Sequence, residues 1–229
     1  GDRSAVSVAG APASFIYMTS DGDVYILSTT FWPSIVKYLS KIMVENTTTT
    51  STPSIIPVLP REETTVVIRI STSNELVIEK TAFLEGRVTG QFAIDVYKGV
   101  LRIALQRGWN EGFNLYTLNA TTLDMLGSLK GVAEGERVHG VRFIGDRLYI
   151  VTYRTVDPLF TIDLSNPSKP RILGYLKGPG FDEYLHPWNN TVLIGVGYTD
   201  EHELRVTTYK VNPEGSVSII SRLVLDKGY

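Results

Sequence analysis

The side chains able to do chemistry in this sequence are few and widely spaced. Arg154 and Asp157 share one short loop beside Tyr153, which puts an acid, a cation and a phenol within a few residues. In such a loop a carboxylate and a guanidinium usually bond the backbone of their own turn. The functional alternative is a rim site on one face of the fold. Arg107, Trp109 and Asn110 form a second group, a planar donor beside an aromatic plate, a pairing able to hold a glycan or a peptide. Tyr184 and His186 lie in a third, apolar stretch that runs into Pro187 and Trp188, where a histidine is expected in the core or along a channel.

Three histidines, His139, His186 and His202, share no metal-ligand spacing, so no metal site is expected. There are no cysteines, which removes thiolate ligands, thiol nucleophiles and disulfides together. No Gly-x-Ser-x-Gly elbow occurs. Asp182-Glu183 and Asp200, Glu201 and Glu203 read as solvated turn carboxylates. Asp21 and Asp23 around Gly22 only faintly suggest a Ca²⁺ loop, because the regular series of oxygen ligands is missing. The expectation is a chain with no catalytic residues, no metal and no cofactor.

Something must position these groups, and strands do it. Between Gly135 and Leu176 four short apolar runs are each stopped by a turn signal: Gly145-Asp146, Arg154–Asp157 and Asn166–Lys169, with Gly178-Pro179-Gly180 after the last. Four strands with tight connections over about 45 residues is the size of one propeller blade. The pattern repeats. Second-strand cores begin at Val24, Val100, Leu148 and Val192, and the last three are spaced by 48 and 44 residues. The first interval is 76, and its excess of about 30 matches an insertion at about 32–64. Gly86-Arg87-Val88-Thr89-Gly90 also recurs as Glu136-Arg137-Val138-His139-Gly140, which places Val88–Ile94 as the first strand of the second blade. Many of these strands are apolar at consecutive positions, as expected where both sheet faces are buried. A β-sandwich fits the strand lengths but not the four-strand period. The fold expected is therefore all-β: one propeller domain over 1–229, with four blades and one insertion.

Within the insertion, Pro33 opens a helical stripe of Ile35, Val36, Leu39, Ile42 and Met43, followed by a Thr/Pro tract from Asn46. The stripe suits packing on the propeller itself or docking of a partner or neighbouring subunit. Two lysines are too few for a membrane-surface helix. Ala5–Val8 is a further strand-like run, able to act as a clasp on the last blade.

Several segments resemble a known family. Val151–Phe160 (VTYRTVDPLF), Ile162–Pro167 (IDLSNP), Tyr184–Pro187 (YLHP), and Gly86-Arg87-Val88 with Gln91-Phe92 are similar to a family of secreted or cell-surface β-propeller proteins of archaea and bacteria. That family is distantly WD-like and has no established function. The resemblance spans roughly residues 12–198 and implies a chain longer than 229 residues, so the four blades here belong to a larger ring or close on themselves. It brings no catalytic residues with it. The last blade departs from the pattern, with Val211-Asn212-Pro213-Glu214-Gly215 where an Asp-x-Ser-x-Pro-like turn is expected.

Composition narrows the function. The chain has 229 residues, 43% of them hydrophobic, a net charge of −2 and scattered lysines and arginines. A nucleic-acid footprint needs a clustered basic face, so none is expected. No apolar run reaches the length of a membrane span. The start at Gly1-Asp2-Arg3, without Met or a signal pattern, reads as an excised segment or a mature form. Asn-x-Ser/Thr sequons at Asn46, Asn119 and Asn189, all placed in loops, hint at an extracellular or cell-surface location. The expectation is a non-enzymatic binding or scaffolding module for a protein or glycan partner, with a homodimer possible. The alternative is a carbohydrate- or peptide-acting hydrolase or lyase at the mouth of a central channel.

Overall fold

The structure is a computed structural model that describes residues 15–31, 63–71, 77–153, 157–178 and 180–225. The insertion helix, the Thr/Pro tract and Ala5–Val8 lie outside the described residues. The chain separates into two compact units, Gly1–Val88 and Thr89–Tyr229.

Unit one is a single blade of β1 (Phe15–Met18), β2 (Val24–Phe31), β3 (Glu63–Ser71) and β4 (Val77–Glu85), antiparallel and in that order. Thr19–Asp23 closes the first hairpin, with the Asp23 amide donating to the Thr19 hydroxyl at 3.0 Å. β2 pairs directly with β3 from Phe31↔Glu63 onward, so the insertion does sit between the second and third strands. Its boundary moves, because Glu63 and Thr64 belong to β3. The β3 run is buried on both faces, as its continuous Val-Val-Ile pattern requires. Arg69 is held between Asp23, at 2.8 Å, and Glu79. Asp23 is thus committed to an ion pair.

Unit two holds three blades. Blade two is β5 (Ile94–Tyr97), β6 (Val100–Gln106), β7 (Phe113–Asn119) and β8 (Met125–Val132). Blade three is β9 (Arg137–Ile144), β10 (Arg147–Tyr153), β11 (Asp157–Asp163) and β12 (Arg171–Gly178). Blade four is β13 (Phe181–Asn189), β14 (Val192–Tyr198), β15 (Leu204–Val211) and β16 (Val217–Leu225). The second-strand cores read from the sequence fall on β2, β6, β10 and β14. One first strand differs from expectation: Val88–Ile94 is not a strand. Gly90–Ala93 makes a 3-10 turn, closed by the Ala93 amide to the Gly90 carbonyl at 3.1 Å, and β5 starts only at Ile94. The turn buries Ala93.

A finer repeat emerges from the registers. In every blade the fourth strand carries an extra residue opposite its neighbour at a matching place: Glu79, Leu126, Leu173 and Ile220, each 47 positions after the last, with a second such shift in β8 near Lys130. Such a bulge bends the strand and increases its twist.

The blades of unit two pack through apolar rows. Ala104, Phe113 and Leu115 of blade two meet Val141, Leu148, Ile150, Phe160 and Ile162 of blade three. Tyr149, Val151 and Leu159 of blade three meet Leu185, Leu193, Tyr209 and Val211 of blade four. A fully buried Leu or Ile in such a row contributes about 1.5–3 kcal/mol. Turns between third and fourth strands lock the stack. Thr117 donates to the Pro167 carbonyl at 2.6 Å, and Arg147 donates to the Asn212 carbonyl at 3.1 Å. Asn212-Pro213 therefore does in blade four what Asn166-Pro167 does in blade three, although its flanking sequence departs from the pattern.

Candidate functional site

At one end of the unit-two sheets the second strands finish and the first strands begin, and aromatic side chains gather there. Tyr153 ends β10 and Phe181 begins β13, with ring centroids 5.0 Å apart. His139 contacts both, at 5.7 Å from Tyr153 and 4.9 Å from Phe181. Tyr198, the last residue of β14, extends the run at 5.9 Å from Phe181. On the neighbouring blade Trp109 is 68% exposed, and the Arg137 guanidinium lies 4.3 Å from its ring centre. Aromatic pairs of this kind contribute about 0.5–1.5 kcal/mol beyond their buried area, so the patch is preorganised rather than loose. Burial holds the His139 imidazole below its ordinary pKa; Glu183 opposes that shift and Arg137 adds to it. The ring is consequently a neutral, mostly apolar member of the patch.

Two candidates read from the sequence, Trp109 and Tyr153, are thus brought to one face. Arg107 is nearby but spends its charge on Glu111, at 3.9 Å, and Glu134, at 3.7 Å. Asp157 opens β11 opposite Gly178, and Arg154 lies outside the described residues. Tyr184 and His186 belong to a separate ladder: the Tyr184 ring lies tilted against Phe92 at 5.6 Å, Arg142 lies over both rings, and the Tyr184 hydroxyl reaches His186 Nδ1 at 3.2 Å. His186 is exposed, which rules out the core position, one of the two places expected for it. His139 and His186 have different ring neighbours. The sequence pointed to neither His139, Phe181 nor Tyr198 as patch members. The recurrence of Tyr at the end of β10 and β14 was the available signal.

Asp182 is a correction. Read as a solvated turn carboxylate, it is 1% exposed, 2.9 Å from Arg205 and hydrogen-bonded by the Tyr209 hydroxyl. Burial first, and the Asp182 charge next, push the Tyr209 hydroxyl far above its ordinary pKa, so it remains a donor. A Cβ on Gly195 would run into the Asp182 carboxylate, which explains glycine inside the β14 core. Of the sequons read as loops, Asn119 and Asn189 instead end β7 and β13, each accepting backbone amides of the following turn. Asn46 lies outside the described residues.

At the opposite end of blades three and four is a groove of about 580 Å³, between Asp146, Arg147, Asp163, Arg171, Asn190 and Glu214. Its charges are largely committed. Arg171 forks onto Asp163 at 3.0 and 2.8 Å, and Lys98 holds Asp146 at 3.1 Å. Among the described residues no helix is long and apolar enough to cross a membrane.

Stacked four-stranded antiparallel blades with a 47-residue repeat define a β-propeller. The chain belongs to the β-propeller domain family, whose model matches residues 2–217. It is 41% identical over 138 residues to an uncharacterised protein of Methanocaldococcus jannaschii, covering 58% of this chain and 22% of that one. It is 37% identical over 155 residues to an uncharacterised protein of Archaeoglobus fulgidus, covering 68% and 25%. The chain thus spans about a quarter of the length of the curated relatives it matches. Among solved structures it is similar to a europium-containing methanol dehydrogenase, with a TM-score of 0.48, 9% identity, and 90% of this chain and 43% of that one covered. It is also similar to Kluyvelomyces marxianus Hsv2, with a TM-score of 0.38, 11% identity, and 88% and 78% covered.

Proposed function

We propose that this chain is a non-enzymatic binding module that recognises a protein partner outside the cell through the aromatic end of its blades. The observation that carries the reading is the run Tyr153–His139–Phe181–Tyr198, with the Arg137-capped Trp109 beside it. Tyr, Trp and Arg are the side chains that dominate protein interfaces. Here they are half-buried or exposed and held by one another, so little conformational entropy is lost on binding. Arg107, Asp182 and Arg205, close to the patch, are occupied in ion pairs, which favours recognition over acid–base chemistry at those groups. The exposed sequon asparagine Asn189 supports an exterior location.

The test is a displayed peptide library and a glycan array, both probed with the full chain and with a Trp109→Ala, Phe181→Ala double variant. Selected peptides that lose at least tenfold in affinity for the folded variant support the reading. Peptides bound equally by both proteins, or ligands found only on the glycan array, sink it.

A further inference from the structure

Arg142, Tyr184 and His186 take no part in the aromatic end of the blades, yet they form an arrangement of their own within unit two. The Arg142 guanidinium lies 4.3 Å from the Phe92 ring centre and 5.7 Å from that of Tyr184, and the two rings are 5.6 Å apart. These distances close a compact triangle, so both rings lie to one side of the cation. The parts come from three blades: Phe92 from the turn before β5, Arg142 from β9, and Tyr184 with His186 from β13. The His186 ring follows 6.1 Å beyond that of Tyr184.

Packing of the blades accounts for the rings but not for the cation. Most other described arginines give their N–H groups to oxygen: Arg69 to Asp23, Arg102 to Asp95, Arg147 to the Asn212 carbonyl, Arg171 to Asp163 and Arg205 to Asp182. Arg142 is half-buried, and among the described residues it makes the two ring contacts but no ion pair and no side-chain hydrogen bond. The acid nearest along β13 is Glu183, the extra residue of the bulge between Asp182 and Tyr184, and its charge bears on His139 instead. A guanidinium in this place loses hydration on its ring side without an oxygen partner to compensate. A leucine or methionine would pack the same rings without that cost. The Tyr184–His186 pair also keeps a donor in reserve. If the phenol donates to Nδ1, the neutral imidazole carries its proton on Nε2; if Nδ1 donates, the phenol proton is free.

We propose that Arg142, Tyr184 and His186 form a binding site for a carboxylate with an apolar body, the group that ends a peptide chain. A guanidinium presents its N–H groups as a planar fork that fits a carboxylate with two parallel bonds. One cation matches one carboxylate, whereas a phosphate dianion leaves a charge uncompensated. The Phe92 and Tyr184 rings offer apolar surface to the carbon body beside it. The donor held by Tyr184 and His186 lies one ring further on, where a peptide carbonyl follows its terminal carboxylate. A free organic acid shares this chemistry, and the experiment separates the two sources. No ring contact joins Arg142, Tyr184 or His186 to Tyr153, Phe181 or Trp109, so this site and the aromatic end can fail independently.

The experiment is a calorimetric titration of the full chain with N-acetyl-glycyl-phenylalanine, its C-terminal amide, phenylacetate and inorganic phosphate. The expected result is millimolar or tighter binding of the free peptide acid, with the amide at least tenfold weaker. Arg142→Met keeps the packing on Phe92 and should weaken the acid at least tenfold, with the melting temperature little changed. Arg142→Lys keeps the charge but not the fork, and should fall between the two. His186→Ala, at an exposed position, should weaken the acid at least twofold. Phenylacetate bound as tightly as the peptide acid assigns the site to free organic acids, and a preference for the peptide acid assigns it to a chain terminus; both support the proposal. Failure of both acids to bind overturns it, as do equal affinities for acid and amide, tighter binding of phosphate, or full binding by Arg142→Met. Should Arg142→Met not fold, the comparison of acid with amide on the wild type decides alone.

Discussion

Asp182 and Arg205 meet at 2.9 Å with both side chains almost wholly removed from water, inside the last blade of the chain. Neither ion is stable there alone, because the interior solvates a lone charge poorly. Asp182→Asn should lower the unfolding free energy by about 3–5 kcal/mol, since it leaves the Arg205 charge buried without its counter-ion. Urea denaturation monitored by tryptophan fluorescence measures the loss. A loss below about 1 kcal/mol would mean that the pair is solvated in solution.

His139 makes stability depend on pH in the acid range. An unfolded chain's imidazole takes up a proton near pH 6.5, while burial keeps the folded ring neutral to a lower pH. Protons therefore favour the unfolded state. The contribution is complete above pH 6.5, is lost as pH falls through the folded pKa, and then levels off. Unfolding free energies at pH 8 and pH 5 should differ by more for the wild type than for His139→Phe, which keeps a ring among Tyr153 and Phe181. An equal difference for the two proteins would assign the acid loss to other groups.

How much of this was legible beforehand follows from where each contact forms. The second strands were readable because a run such as Leu148-Tyr149-Ile150-Val151 is buried on both faces, and that leaves a continuous apolar signature. The strand β5 was misread because a turn at Gly90 overrode a repeat that looks the same at Arg137. Asp182 carried no local sign of burial. Its partners Arg205 and Tyr209 lie two strands away in blade four, and its space comes from Gly195. Of the aromatic patch, Tyr153 was found from its loop, but His139 joins it from the neighbouring strand and Phe181 from the next blade, relationships invisible to spacing along one strand. The 47-residue repeat of bulges needed the registers, because a bulge is defined by its pairing, and an aliphatic residue such as Leu126, Leu173 or Ile220 looks like any other strand position in the sequence.

Phe181 and Trp109 should separate structure from recognition. Phe181 touches His139, Tyr153 and Tyr198, so Phe181→Ala removes three ring contacts and should cost about 1–3 kcal/mol of stability. Trp109 is mostly exposed and has the Arg137 guanidinium over its ring, so Trp109→Ala should cost no more than about 1 kcal/mol. Chemical denaturation of the two single variants gives the comparison. Equal losses would mean that Trp109 is part of the folded framework rather than a surface available to a partner.

The turn of blade four supplies a steric prediction. Gly215 has φ of +98°, a region that side-chain-bearing residues rarely enter, and a Cβ there would strike Leu173 in the bulge of blade three. Gly215→Ala should therefore destabilise the chain by about 1–3 kcal/mol through backbone strain and the clash together. Leu173→Ala opens the space but leaves φ unchanged. In the double variant Gly215→Ala, Leu173→Ala the clash is gone and the strain remains, so the combined loss should fall short of the sum of the single losses. Additive losses would place Leu173 away from the turn in solution, and the turn would then not clamp blade four onto blade three.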